Sequence, residues 1–183
     1  MLILMEREHL PMARWAFEQF DVPKSGLIAD LGCGGGYHVR RLLQKSASAF
    51  VYGLDLSEES VKKAQKVNRA ALGKRCKILQ GRVEALPFED HSLSLVTAFE
   101  TVFFWKEIER GFQEIHRVLT PGGRCVIVNN YGDPKIDWEK KVPCMKRQTA
   151  EQIQKALQAV GFLDVIVQKK GQLFCVQGKA SQR

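Results

Sequence analysis

Short apolar runs alternate with amphipathic segments along most of the chain. Five runs of mainly apolar side chains are each typical of a strand buried in a sheet. They cover residues 26–31, 49–56, 76–81, 93–99 and 124–130. Several of the intervening segments carry apolar residues at helical spacing instead. Strands that alternate with helices predict an α/β fold with a mainly parallel sheet.

The segment 57–73 shows signals for both ends of a helix. Ser57 is a good N-cap residue, and the two glutamates after it suit the positive end of the helix dipole. Gly73 predicts the end of this helix. Further amphipathic helices are predicted over residues 37–46 and 105–123. Pro121-Gly122 indicates where the second of these stops.

The last third of the chain carries the fullest helix signature. Thr149 as N-cap, Gln152 three residues later and Gly161 as C-cap predict a helix between them. Two strands, 163–170 and 172–179, then face each other across a turn. Together the elements predict a three-layer α/β fold whose seven-stranded sheet is mostly parallel, with one antiparallel strand near the C-terminus.

The length and composition indicate the class of protein and the compartment to expect for this fold. A length of 183 residues favours one domain, and no apolar run approaches the roughly 18 residues of a membrane span. The N-terminus lacks the apolar core and cleavage site of a signal peptide. The five cysteines form no C-x-x-C pair, which argues against a disulfide framework or a metal site. We therefore expect a cytoplasmic protein with no membrane partner.

The net charge of +8 lies mainly in the last quarter of the chain. From Lys135 onward there are ten Lys or Arg residues against four Asp or Glu. A basic surface can attract nucleic acid or anionic substrates. No pattern of aromatic and basic residues accompanies the charges, so a solvated basic face is the simpler interpretation.

A glycine cluster follows the first predicted strand, in "IADLGCGGGYHVRR" (28–41). Glycines let a backbone approach a ligand closely. The cluster lacks the lysine and spacing of a P-loop. A dinucleotide site needs G-x-G-x-x-G, but Tyr37 stands at its third glycine position. Asp30, two residues before Gly32, would oppose a pyrophosphate and would attract a cationic ligand.

The remaining pattern is D-x-G-x-G-x-G, formed by Asp30, Gly32, Gly34 and Gly36. It resembles the first motif of the class I S-adenosylmethionine-dependent methyltransferases, which have a Rossmann-like fold. Two later segments are similar to that family as well: "GRVEALPFEDHSLSLV" (81–96) and "HRVLTPGG" (116–123). The matches occur in order between about residues 28 and 129. The resemblance becomes more specific at "AFETVFFW" (98–105), which is similar to a segment of small bacterial methyltransferases of type 11.

The resemblance implies S-adenosylmethionine as cofactor and a set of residues that bind it. These are Asp30, Gly32, Cys33, Gly34, Asp55, Leu56, Arg82, Val83 and Phe99. Asp55, 19 residues after Gly36, can bond both ribose hydroxyls, as an acid about 20 residues on does in dinucleotide sites. Leu56 would lie against the adenine, and Asp30 would face the amino-acid end of the ligand.

Two positions depart from the family pattern. Arg82 stands where relatives carry an acid that accepts from the adenine amino group, and arginine is only a donor. That bond is either lost or supplied by another acceptor such as Glu84, while Arg82 could stack on the ring. Ser94 stands where an aspartate is usual.

The acceptor site is expected at the ends of the fourth and fifth strands. Residues 1–22 are expected to form a helical lid over this site, and residues 23–183 form the core. Both belong to a single methyltransferase domain, 1–183. Methyl transfer requires no fixed catalytic residue, and Glu100 and His9 are the candidates for a base. The candidates for substrate binding are His9, Trp15, Glu100, Trp105, Asn130 and Tyr131. Phe103, Phe104 and Trp105 could line an aromatic pocket, but such a cluster more often belongs to the core, where we expect Phe103 and Phe104, with Trp105 as the exception.

The leading hypothesis is a small-molecule methyltransferase without a metal. Methylation of RNA or protein is the alternative, suggested by the basic last quarter. The N-P-P-Y signature of amino-methylating nucleic-acid enzymes is absent after the fourth strand. A third hypothesis is a protein that binds S-adenosylmethionine without catalysis, because Arg82 and Ser94 depart from the pattern.

Overall fold

One seven-stranded sheet runs through the protein. A computed structural model describes residues 10–132, 135–142 and 144–181. The strands are Leu27–Leu31 (β1), Phe50–Asp55 (β2), Cys76–Gln80 (β3), Leu93–Phe99 (β4), Leu119–Asn130 (β5), Phe162–Lys170 (β6) and Leu173–Ala180 (β7). They lie side by side in the order β3-β2-β1-β4-β5-β7-β6. The helices are Leu10–Ala16 (α1), Tyr37–Lys45 (α2), Glu58–Val67 (α3), Ile108–Val118 (α4), Trp138–Lys141 (α5) and Ala150–Val160 (α6).

The strand pairing confirms the predicted sheet. β1 pairs in parallel with both β2 and β4, so the order of the strands reverses beside β1. β7 is antiparallel to β5 and to β6. In sheets of this kind, ligands bind beyond the carboxyl ends of the strands, at the point where the order reverses.

Two apolar clusters cover the two faces of the sheet, because side chains alternate along each strand. On β5, Val126 and Val128 belong to the cluster that contains residues of α1, α2 and α3. Cys125 and Ile127 belong to the cluster that contains residues of α4 and α6. This is the three-layer arrangement that the alternation of elements predicted.

Two predicted boundaries were wrong. The helix that begins after Ser57 ends at Val67 and not at Gly73. Asn68 caps it, donating from Nδ2 to the carbonyls of Ala64 and Gly36, 2.9 Å each, so a contact with the glycine cluster fixes this end. β5 begins at Leu119, before Pro121-Gly122, because Leu119 pairs with Leu93 of β4.

The described part of the N-terminal segment is docked on the sheet. Phe17, just after α1, stacks on Phe99 with ring centroids 5.3 Å apart. The carbonyl of Gln19 accepts hydrogen bonds from Gln177 of β7 at 2.8 Å and from Gln168 of β6 at 3.4 Å. A lid formed by residues 1–22 stays a prediction, because residues 1–9 lie outside the described part.

Within the described ranges, none of the helices has the length and apolar character needed to cross a membrane. Among these residues, no group of His, Cys, Asp and Glu side chains is arranged to hold a metal ion.

Candidate functional site

A cavity of about 490 Å³ lies at the carboxyl ends of the first four strands. Residues 31–32, 54–57, 81–84, 100–101 and 104–106 form its walls. These segments follow β1, β2, β3 and β4, so the cavity occupies the place where the strand order reverses. Its volume falls in the range of about 300–1,000 Å³ that small-molecule sites have.

The glycine cluster shapes the first wall of this cavity. Gly32 has φ +65°, and a Cβ on it would stand 2.0 Å from Oγ1 of Thr101. Gly34 has φ +50°, and a Cβ on it would meet no atom within 4 Å. Glycine is therefore needed at position 32, because Thr101 occupies the space that a side chain would take. Gly34 instead leaves open space in which a ligand can approach the backbone.

Asp55 ties the second strand to the glycine cluster. Its Oδ2 accepts from the Gly34 amide at 2.8 Å, and its Oδ1 accepts from the Ser57 amide at 2.9 Å. An ionised carboxylate has about four acceptor sites, so each oxygen keeps capacity for another donor. Two neighbouring ribose hydroxyls are donors that such an oriented carboxylate can receive.

Asp30 directly precedes Leu31, which lines the cavity, and is buried with one oxygen unsatisfied. Oδ1 accepts from the Thr97 hydroxyl at 2.6 Å. Oδ2 has no hydrogen-bond partner among the described residues. Burial raises the pKa of Asp30 from 3.8 to about 7; the Thr97 hydrogen bond opposes this rise and the charge of Asp55 adds to it. An unpaired buried carboxyl suits a cationic ligand group, which would stabilise its ionised form.

The raised pKa of Asp30 predicts a pH-dependent stability of the ligand-free protein. The stability that protonated Asp30 contributes is complete below pH 3.8 and is lost as pH rises through about 7. In urea unfolding, we expect the free energy of unfolding of the wild type to fall, relative to that of Asp30→Asn, by roughly 2 to 3 kcal/mol between about pH 5 and about pH 8.5. Parallel pH profiles for the two proteins would contradict this assignment.

The third wall combines apolar and charged side chains after β2 and β3. Leu56 is 61% exposed and Val83 is buried, and both line the cavity. Glu84 Oε1 accepts from the Lys106 amide at 3.1 Å, which connects this wall to the segment after β4. Arg82 is exposed and lines the cavity as well.

The segment after β4 forms the fourth wall. Glu100 has φ +53°, a left-handed backbone conformation that is costly for a residue with a side chain. Its amide donates to the Val128 carbonyl at 2.8 Å, so pairing with β5 holds this conformation. Phe104 is 48% exposed, whereas Trp105 is buried edge-on against Phe112. Phe104 is therefore outside the core in which the sequence predicted it.

Phe99, Cys33 and Trp15, which were predicted to bind the cofactor or the substrate, are not among the residues that line this cavity. Phe99 is packed between Phe17 and His38, with its ring 4.0 Å from that of His38. Cys33 is buried, and burial raises the pKa of its thiol far above the usual range, so it is no nucleophile. Trp15 is buried in the cluster below α1. His9 lies outside the described residues.

Asn130, the last residue of β5, and Tyr131 after it are engaged in local structure. Oδ1 of Asn130 accepts from the Gly132 amide at 2.9 Å. The Tyr131 hydroxyl accepts from the Ala150 amide at 2.7 Å, at the start of α6, and its ring packs on Phe174. Their proposed contact with an acceptor stays a prediction.

Sequence reasoning missed Thr101 and Lys106, which line the cavity, and Thr97, which bonds Asp30. The spacing of apolar residues gives no signal for Thr101 or Lys106, since both lie in the irregular segment after β4. Thr97 is a polar residue within the mainly apolar strand β4, and a polar residue at such a position could have indicated a buried partner.

The departure at Ser94 is explained by a structural contact. Its hydroxyl donates to the Leu27 carbonyl at 2.9 Å, at the start of β1 and remote from the carboxyl ends of the strands. Ser94 therefore joins two strands and does not weaken ligand binding directly.

Comparison with known proteins assigns the chain to a family. The sequence profile of the methyltransferase domain family matches residues 29–127. The uncharacterized methyltransferase YdaC of Bacillus subtilis is 25% identical over 91% of this chain and 88% of its own length. The chain spans less than half of the length of seven other curated methyltransferases that it matches.

Two solved structures have the same fold. A chain of the complex between the Haloferax volcanii Trm112 methyltransferase activator and a methyltransferase aligns with a TM-score of 0.82 at 23% identity, covering 97% of this chain and 92% of that one. Haemonchus contortus phosphoethanolamine N-methyltransferase 2, in complex with S-adenosyl-L-methionine, aligns with a TM-score of 0.80 at 17% identity, covering 94% of this chain and 53% of that one.

Proposed function

The chain belongs to the methyltransferase domain family of class I S-adenosylmethionine-dependent methyltransferases, and we propose that its methyl acceptor is a small molecule. The reaction would convert S-adenosylmethionine and this acceptor into S-adenosylhomocysteine and a methylated product. The observation that carries the proposal is the shared cavity: Asp55 and Gly32 line the same space as Glu100 and Phe104.

The residues present fit S-adenosylmethionine. The unsatisfied oxygen of Asp30 would face the cationic amino-acid end of the cofactor. The open space at Gly34 would let the cofactor contact the protein backbone. Asp55 would accept from the ribose hydroxyls, with Leu56, Arg82 and Val83 beside the base. Bound in this way, the cofactor supplies an electrophilic methyl group on a sulfonium.

The chain's own groups would align the acceptor and exclude water from it. Phe104 and Trp105 offer apolar surface beside Glu100, and closing such a wall over an acceptor removes solvent from the reacting atoms. The Glu100 carboxylate would orient the nucleophile and accept its proton where the acceptor arrives protonated. Its costly backbone conformation supports this role, since such strain is concentrated at functional sites.

We place the enzyme in the cytoplasm. All five cysteines are unpaired, four of them buried and Cys144 exposed. A free exposed thiol is compatible with a reducing compartment.

Glu100→Gln tests the proposed role of Glu100. With an acceptor found by screening alcohols, amines, carboxylic acids and thiols for formation of S-adenosylhomocysteine, we expect this change to lower kcat about 100-fold. The affinity for S-adenosylhomocysteine, measured by calorimetry, should stay within about threefold because the substitution preserves size and removes only the charge.

Glu107→Gln is the matched control, because Glu107 is exposed and its side chain makes no cap to α4. A Glu100→Gln enzyme with unchanged kcat would remove Glu100 from the mechanism. Turnover only with RNA, weakening steeply with salt, would favour the nucleic-acid alternative instead. Binding of S-adenosylhomocysteine without turnover of any acceptor class would favour a non-catalytic protein.

A further inference from the structure

We propose that Arg82 reads the edge of the cofactor's base, and that the site therefore accepts a 6-oxopurine as well as adenine. This inference rests on the proposed function, because it concerns the nucleoside end of the same cavity. It concerns specificity, which the family assignment does not determine.

The position of the base follows from the order of the strands. The glycine cluster follows β1, Asp55 ends β2 and residues 81–84 follow β3, side by side along one edge of the sheet. With the ribose at Asp55, a base directed away from the glycine cluster lies between Leu56 and Val83. Arg82 is then the longest polar side chain at its edge.

This part of the cavity is rich in donors. Arg82 and Lys106 both line it, and neither the guanidinium of Arg82 nor the ammonium of Lys106 can accept a hydrogen bond. The guanidinium of Arg82 makes no hydrogen bond or ion pair with the part of the chain that the structure describes. Its donors are therefore available to a ligand.

Three acceptors in the same wall each receive one donor from the protein. The Leu56 carbonyl accepts from Nε2 of Gln80 at 3.1 Å, and the Arg82 carbonyl accepts from the Ala85 amide at 3.3 Å. Glu84 Oε1 holds the Lys106 amide at 3.1 Å. Glu84 keeps its second carboxylate oxygen, so a 6-amino group can still find an acceptor here, while an O6 atom would meet the donors of Arg82 and Lys106.

The chemistry of the purine edge follows from this inventory. Arginine pairs with acceptor atoms such as O6 and N7 of a purine. Adenine offers Arg82 only its ring nitrogens, whereas a 6-oxopurine adds the O6 acceptor. A carboxylate at position 82 would favour adenine over a 6-oxopurine, because it accepts from the amino group and repels O6.

Calorimetry with S-adenosylhomocysteine and S-inosylhomocysteine tests the inference directly. For the wild type, we expect the Kd for the inosyl ligand to be no more than about 3 times that for the adenosyl ligand. In Arg82→Asp, the ratio of the Kd for the inosyl ligand to the Kd for the adenosyl ligand should rise at least about fivefold. The adenosyl ligand gains a hydrogen bond from its 6-amino group to the new carboxylate, and the inosyl ligand loses the hydrogen bond from Arg82 to O6.

Arg69→Asp is the matched control: it makes the same change of charge at an exposed position that does not line the cavity, and it should leave the ratio unchanged. A wild-type ratio above about 3, or the same ratio in the wild type and in Arg82→Asp, would overturn the role of Arg82. Failure of both ligands to bind the wild type would instead count against the proposed function.

Discussion

Asp55→Ala is expected to raise the Kd for S-adenosylhomocysteine at least about 100-fold. The Asp55 carboxylate is the acceptor proposed for both ribose hydroxyls, and hydrogen bonds to a charged group contribute about 1.5–3 kcal/mol each. It also accepts from the amides of Gly34 and Ser57, so its loss frees the glycine loop that forms the adjoining wall. Titration calorimetry of both proteins measures the difference.

Asp21→Ala controls for the change of charge, because Asp21 is exposed and remote in sequence from the strand ends that form the cavity. It should change the Kd less than about twofold. A similar Kd for Asp55→Ala and the wild type would mean that the ribose is held elsewhere. In that case the assignment of the cavity, and with it the order of ligand groups along the sheet, would be wrong.

Glu114→Ala is expected to lower the free energy of unfolding by about 3–5 kcal/mol, the cost of breaking a buried ion pair from one side. Glu114 is buried on α4 and accepts from the Leu86 amide at 2.8 Å. It also accepts two hydrogen bonds from Arg117, at 2.9 and 2.8 Å. Without Glu114, the Leu86 amide and the Arg117 guanidinium would lose this partner. Urea unfolding at about pH 7 measures the loss.

The arrangement is more than one ion pair, because Arg117 also donates to the carbonyls of Leu86 and Phe88 and to Asp90. Hydrogen bonding from Arg117 holds the pKa of Glu114 below its usual range, and the Leu86 amide lowers it further against the cost of burial. The contribution of Glu114 is therefore present above its unfolded pKa near 4.5 and is lost as pH falls through its lower folded pKa.

Glu109→Ala is the control for Glu114→Ala, since Glu109 is exposed on the first turn of the same helix. Its loss should cost less than about 0.5 kcal/mol. The double variant Glu114→Leu, Arg117→Met should be more stable than the sum of the single variants predicts, because no unpaired charge remains. A cost below about 1 kcal/mol for Glu114→Ala would show that the network contributes little.

Most elements of the fold were predictable because their signals are local. The helix after Thr149 is confirmed with its capping box and its left-handed Gly161. β4 is confirmed over residues 93–99. The helix after Ser57 was predicted too long, because its end is set by the contact between Asn68 and Gly36, residues 32 positions apart.

The candidate site was predictable only where one short segment carries its own chemistry. The spacing around Asp30 excluded a P-loop and a dinucleotide site without any structure. The alternation of side chains on β4 directs Phe99 to the face that carries Leu95, away from the cavity. The resemblance to relatives could not indicate this orientation, which follows from packing against Phe17 and His38.

The sequence by itself determined the succession of strands and helices along the chain, the place of the glycine cluster and the donor-only residue at position 82. Periodicity, capping and backbone freedom depend on neighbours within a few positions, so they are visible in the chain. Tertiary structure alone decided that Thr101 fills the space above Gly32, that Thr97 leaves one oxygen of Asp30 unsatisfied, and that Glu114 anchors Leu86. These contacts join residues 28 to 69 positions apart, and only the folding of the sheet brings them together.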